Sequence, residues 1–178
     1  MQPTFQIEKN LKIINRCSLA DQDLYKNKLR NRACAVIVSD DYILLAKHNS
    51  PTREEPIWMP PGGGIQFGEP AKEALIREVK EETGLIVEPT RLIWVHEFLE
   101  DPFHAIEFYF ECSIAGGALK LGEDPEHASN DQILLDLRFI PFKETASLPL
   151  YPSFLKESCK NKGELPDNVV HVITSPAV

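Results

Sequence analysis

Apolar and polar residues recur along this chain with two different periods, and the switches between them mark out the elements. Arg32 to Ser39 (RACAVIVS) is a near-continuous apolar run of strand length. Ser39-Asp40-Asp41 turns it, and Tyr42 to Lys47 (YILLAK) returns as its hairpin partner. From Gly68 to Gly84 the period lengthens, with Leu75 and Val79 on one stripe of a run free of breakers, which predicts a helix. Strands are predicted next at Leu85 to Glu88 and Arg91 to Leu99, separated by Pro89. His104 to Ala115 alternates, with Ile106, Phe108, Phe110 and Cys112 on one face and Glu107, Tyr109 and Glu111 on the other. Solvation is the expected fate of that second face; Glu107 or Glu111 pointing into a cleft is the alternative. Leu134 to Phe142 reads as one more strand, and Lys143 to Leu148 and Pro149 to Lys160 as helices over one face of the sheet. Val169 to Ile173 reads as an edge strand or a segment docked elsewhere.

Met1 to Asn31 resolves into neither period: a short extended piece near Phe5 to Ile14 precedes a helix from about Ser18. This extension packs on its own domain or on a second subunit, the latter giving a homodimer. Residues 32–178 carry no repeat, linker or low-complexity tract and read as one domain. A chain of 178 residues can bury roughly two-thirds of its unfolded surface, so one core suffices.

The helix is marked at both ends. Pro70 suits a first turn, Glu69 and Glu73 put negative charge near the positive end, and Gly84 suits a left-handed cap. Ahead of it, Pro60 to Gly64 reads as a proline-glycine turn. Glu78, Glu81 and Glu82, spaced i, i+3 and i+4, share one side, and Glu82 falls close to the direction of Leu75 and Val79. The acids therefore border the buried stripe. Carboxylates crowded at such an edge repel and lose hydration, a cost relieved if hard divalent cations sit among them. Arg77, with Glu73 four residues before it and Glu81 four after, can bridge both and fix where Glu81 points. The bland alternative is an ordinary solvated helix of Glu and Lys.

Charge narrows the partners. With 27 acidic and 19 basic side chains the net charge is -8, so no broad basic face for a nucleic-acid backbone is expected. An acidic protein that handles phosphates needs metal ions or a local basic cluster to offset the repulsion. Cys17, Cys34, Cys112 and Cys159 are scattered without zinc spacing and read as free thiols. The start lacks an apolar signal core and no segment has the ~20 apolar residues of a membrane span. A cytoplasmic protein without membrane association is the expectation.

From Gly63 the sequence runs glycine, five residues, Glu69, seven residues, Arg77-Glu78, Val79, one residue, Glu81-Glu82, one residue, Gly84, Leu85. This closely resembles the Nudix box, and the wider resemblance is strongest from about Arg32 to Leu150. With the element order, it implies an α/β/α sandwich in which a mixed β-sheet lies between the box helix and C-terminal helices. It also implies a hydrolase that cleaves a phosphoanhydride bond of a nucleoside diphosphate linked to another moiety, by metal-assisted attack of water. Glu78, Glu81 and Glu82 would hold Mg²⁺ or Mn²⁺, with the Gly63 carbonyl as a further ligand. Arg77 and Glu69 would organise the site, and the general base would be Glu81, Glu82 or one of the loop acids Glu123, Glu126 and Asp131.

The loop before the box leads towards the substrate cleft in this pattern. Trp58 there either stacks a base or packs as core, and Arg53 either contacts a phosphate or is simply solvated. Gln66, where a glutamate is frequent, and Gln132, where an acid often precedes the aliphatic residue, depart from the usual pattern outside the box. The rival function is a Nudix-like module that senses a nucleotide without turning it over. That role goes with eroded glutamates, and here the box is intact.

Overall fold

The computed structural model of the chain describes residues 25–50, 53, 55–122 and 134–175. The helix expected from about Ser18, Cys17, Gln132 and the loop acids Glu123, Glu126 and Asp131 lie outside the described residues. Among the described residues nine strands and three helices are named in order: β1 Leu29–Val36, β2 Val38–Ser39, β3 Tyr42–His48, β4 Ile57–Met59 and β5 Gly62–Gly64, then α1 Ala71–Thr83. After α1 come β6 Leu85–Glu100, β7 Phe103–Gly117, β8 Leu134–Pro141, α2 Phe142–Thr145, α3 Leu155–Lys160 and β9 Val170–Thr174.

Two sheets form. The first is mixed, in the order β5-β1-β7-β6-β9, with β1 parallel to β7 and β9 parallel to β6. The second is antiparallel and centred on β3, which pairs with β2, β4 and β8. The predicted hairpin is confined to Val38–Ser39 on Tyr42–Ile43, because the run from Arg32 changes sheets at Ile37. Its continuous apolar character follows from burial on both faces. Ala33, Ala35 and Ile37 face the cluster that holds Ala74, Leu75 and Val79 of α1, whereas Cys34 and Val36 face Trp94, Tyr109, Phe142, Leu150 and Leu155. The α/β/α layering therefore follows from one strand feeding two cores.

Three expected elements take other forms. The chain from Leu85 to Glu100 is a single strand, irregular in register on both sides of Pro89, whose missing N–H cannot complete a ladder. The C-terminal helices shrink to the four residues Phe142–Thr145 and the six residues Leu155–Lys160. Residues 149–151 instead run beside Trp58, whose amide donates to the Pro149 carbonyl and whose carbonyl accepts from the Tyr151 amide. Val169 to Ile173 takes the edge-strand alternative, as β9.

Candidate active site

The site is built where α1 meets β5. Gly62–Gly64 forms an edge strand on β1, with Ala33 opposite Gly63, and not the turn that its glycines predict. Three residues without side chains can lie flat between a strand and a helix. Gly62 has φ +142°, and a Cβ there would overlap the Ala33 carbonyl. A Cβ on Gly63 would run into the Glu78 carboxylate, so bare backbone lets that acid close on β5. At the far end of α1, Gly84 is left-handed at φ 69° and its amide caps the Lys80 carbonyl.

The box acids are graded in exposure: the side chains of Glu78 and Glu82 are 13% and 12% exposed, and that of Glu81 is 35% exposed. The Gly62 amide donates to Glu82 Oε2 at 2.9 Å, which fixes that carboxylate on the edge strand. Arg77 sits among the others. Its Nε and Nη2 donate to the two oxygens of Glu69, each at 2.9 Å, and Nη2 also to the Gly64 carbonyl at 3.0 Å. Its Nη1 donates to Glu78 Oε1 at 2.7 Å and to Glu81 Oε2 at 3.3 Å. The predicted bridge to Glu73 does not form; Arg77 turns to the loop that enters the helix, where Glu69 offers a two-pronged partner. That fork, above all, raises Arg77 beyond its ordinary range against the effect of burial, with Glu78 adding to it. The same bond from Arg77 holds Glu69 below the usual carboxylate range. Both groups are locked in their charged forms.

Behind the glycine edge lies a second set of charges, of which the sequence offers only Glu107, as the alternative to its solvation, and does not single out Arg32 or His48. Arg32 Nη2 donates to the Gly62 carbonyl at 2.9 Å and Nη1 to Glu107 Oε1 at 3.3 Å. Glu107 is buried, not solvated as its alternating face predicts. Its Oε2 accepts from His96 at 2.8 Å, the Tyr109 hydroxyl at 3.0 Å and the Tyr151 hydroxyl at 3.2 Å. His48, at the end of β3, has its Nε2 buried without a hydrogen-bond partner, 3.8 Å from Glu82 Oε1. Burial, reinforced by Arg32 and Arg30, pushes the His48 imidazole down to about 3, so it stands neutral beside the carboxylate. The signal for His48 is its place on the helix-facing side of β3 with Leu44 and Ala46; for Arg32 and Glu107 no periodic signal exists.

Of the other candidates, Trp58 is buried in the core, with Lys47 Nζ at 5.9 Å and Arg138 Cζ at 5.3 Å from its ring centroid. Arg53 is exposed. The end of β7 leads back to the helix: Lys120 and Gly122 donate their amides to the carbonyls of Thr83 and Glu82.

The donors suit a hard divalent cation. Glu78, Glu81 and Glu82 offer only oxygen, are partly accessible, and with Glu69 outnumber the one guanidinium set among them. Among the described residues no three acid, histidine or cysteine side chains already converge as a closed cage. Magnesium does not ask for one, since it takes one or two carboxylates and keeps water or substrate oxygens for the rest.

Known proteins place the chain. An ADP-ribose pyrophosphatase of Methanocaldococcus jannaschii is 38% identical over 109 residues, 60% of this chain and 61% of the relative. An 8-oxo-dGDP phosphatase of Mus musculus is 32% identical over 116 residues, 62% of this chain and 34% of the relative. The chain thus aligns with less than two-thirds of the length of either. The solved structure of a NUDIX hydrolase from Nitrosomonas europaea shares the fold, with a TM-score of 0.60 at 21% identity over 76% of this chain and 88% of that one. The family profile described as NUDIX domain matches residues 28–157, which include every described element from β1 to α2 and the whole of the site; the chain belongs to this family.

Proposed function

We propose that this protein hydrolyses a phosphoanhydride bond in a nucleoside diphosphate linked to another moiety, using Mg²⁺ or Mn²⁺ held by Glu78, Glu81 and Glu82 with the Gly63 carbonyl. The observation that carries this reading is the row of acids closed against a side-chain-free strand, with Glu78 touching Gly63 and Glu82 bonded to the Gly62 amide. When bound, the cation neutralises phosphate oxygens and acidifies water, the two requirements of attack on a polyanion.

The chain's own residues divide the remaining work. Arg77 ties Glu69, Glu78 and Glu81 to the Gly64 carbonyl, so helix and loop move as one body. The Gly62 amide orients Glu82, and neutral His48 adds no charge to compete with a cation there. Glu81, the most exposed of the three and held from one side at 3.3 Å, is the box acid free to accept a proton from water.

The test is a phosphate-release assay with Mg²⁺ across ADP-ribose, 8-oxo-dGDP, nucleotide sugars, dinucleoside polyphosphates and modified nucleoside triphosphates. The first two head the panel because the relatives from M. jannaschii and mouse carry those names. Turnover that stops with chelator and returns with metal is the expected result. Tight binding of a nucleotide without turnover would establish the sensor instead, and full turnover in excess EDTA after metal stripping would remove the cation from the account.

A further inference from the structure

Two arginines of β1 stand beside the glycine edge: Arg30 half-buried, and Arg32 with one buried nitrogen that has no partner. Arg30 and Arg32 share one face of the strand, and the neighbouring strand β7 sets Ala105 and Glu107 opposite them. Glu107 already serves Arg32, His96, Tyr109 and Tyr151. Arg32 spends its two outer nitrogens on Glu107 and the Gly62 carbonyl, while its Nε is buried and bonded to nothing. The Arg30 guanidinium lies over the Tyr25 ring, 4.2 Å from the centroid, and donates to no acceptor among the described residues.

A half-buried cation beside a second cation is repelled by it, a cost that is relieved when an anion joins the pair. Burial and then the charge of Arg32 draw Arg30 below its ordinary range, although Glu107 pulls the other way. The pair also adjoins the carboxylates. Arg32 holds the carbonyl of Gly62, and the amide of that same residue holds Glu82. A polyanionic substrate lying along the edge strand would thus meet negative acids at one end and the Arg30 guanidinium at the other. In a chain of net charge -8, that is where a local basic cluster is needed.

We propose that the Arg30 guanidinium, with the charge of Arg32 beside it, forms an anion subsite that takes a phosphate group of the substrate other than the one attacked beside the box acids. The proposal rests on the phosphoanhydride reading for its substrate. Tyr25 braces the plane of Arg30, leaving the edge of the guanidinium to meet two phosphate oxygens at once.

The deciding experiment is calorimetric titration of inorganic pyrophosphate into the metal-free protein in EDTA at low salt, for wild type, Arg30→Met and Arg30→Lys. Wild type should bind. Arg30→Met, whose apolar stem still packs on Tyr25, should weaken binding by about tenfold, and Arg30→Lys should fall between. With Mg²⁺ and a turned-over substrate, Arg30→Met should raise KM by about tenfold and leave kcat within about twofold, the pattern of binding lost equally from ground and transition states. Arg30→Gln replaces Arg30→Met if the latter folds poorly. Wild-type affinity for pyrophosphate and wild-type KM in the variant, with only a lower Tm, would make Arg30 a stacking partner of Tyr25 and overturn the subsite; so would a wild-type protein that ignores metal-free pyrophosphate. If no nucleotide is turned over at all, the hydrolase reading fails, while the pyrophosphate titration still decides the subsite.

Discussion

Glu107 is the residue whose position departs most from what its sequence pattern implies. Alternation correctly puts it on the same face of β7 as Tyr109, but alternation says only which residues share a face, not which faces are covered. Tyr151 and Phe154, far along the chain, cover this one: Phe154 packs edge-on against Tyr109, and the Tyr151 hydroxyl reaches Glu107. Burial pushes the Glu107 carboxyl up, yet the bond from His96 and the charge of Arg32 outweigh it and hold the group below the usual 4.5. The sign for stability follows. Between the folded and unfolded values the unfolded chain binds a proton that the native state refuses, so this contribution is complete above about pH 4.5 and drains away as pH falls through the folded value. Glu107→Gln breaks the buried pair and should cost about 3 to 5 kcal/mol at neutral pH. Its stability should also fall less steeply than wild type below pH 4.5; urea melts at a series of pH values measure both, and an acid limb as steep as wild type would contradict the assignment.

Among the elements, α1 was the most legible, because its start, its end and its acids are written as fixed spacings within one local segment. The elements around it depended on contacts between distant residues. Pro152 suits the first turn of a helix, but the segment before it is drawn out along Trp58, leaving only Leu155–Lys160 helical. Pro89 reads as a break, yet pairing with β7 carries β6 past it with a shift of register. The glycines of β5 read as a turn because glycine so often makes turns; here their lack of side chains serves close packing. That distinction is testable within one strand. Gly62→Ala forces a positive φ on alanine and drives its Cβ into the Ala33 carbonyl, which should cost about 2 kcal/mol or more. Gly64 has open space around the place of a Cβ, and Gly64→Ala should fall within about 0.5 kcal/mol of wild type. Equal melting temperatures for the two variants would show that β5 is not held as described.

For the molecule as a whole, the layers were legible and their division into two sheets was not. The apolar run from Arg32 announces burial on both faces but not that it changes partners at Ile37. The thiols follow from the two cores it feeds. Cys34 and Cys112 lie in opposite clusters, each pushed up to about 12 by burial, and Cys159 is raised by the same cause. All three are free, so reducing agent should leave Tm and rate unchanged, and mass spectrometry after native treatment with a thiol reagent should find them unmodified. Rapid labelling of any of the three would mean that its core opens. The central claim, that the row of acids exists to hold a cation, is tested most directly by the Mg²⁺-induced shift in melting temperature, read with initial rates, for wild type, Glu82→Gln and Glu73→Gln. Glu82→Gln can still accept from the Gly62 amide but removes one of the crowded charges, so its metal-free stability should match or slightly exceed wild type. Its turnover should collapse and its Mg²⁺ shift should shrink, since ligand stabilisation follows affinity for the native state. Glu73→Gln, which faces outward, should match wild type in both. A Glu82→Gln protein with wild-type turnover and the full Mg²⁺ shift would contradict the account.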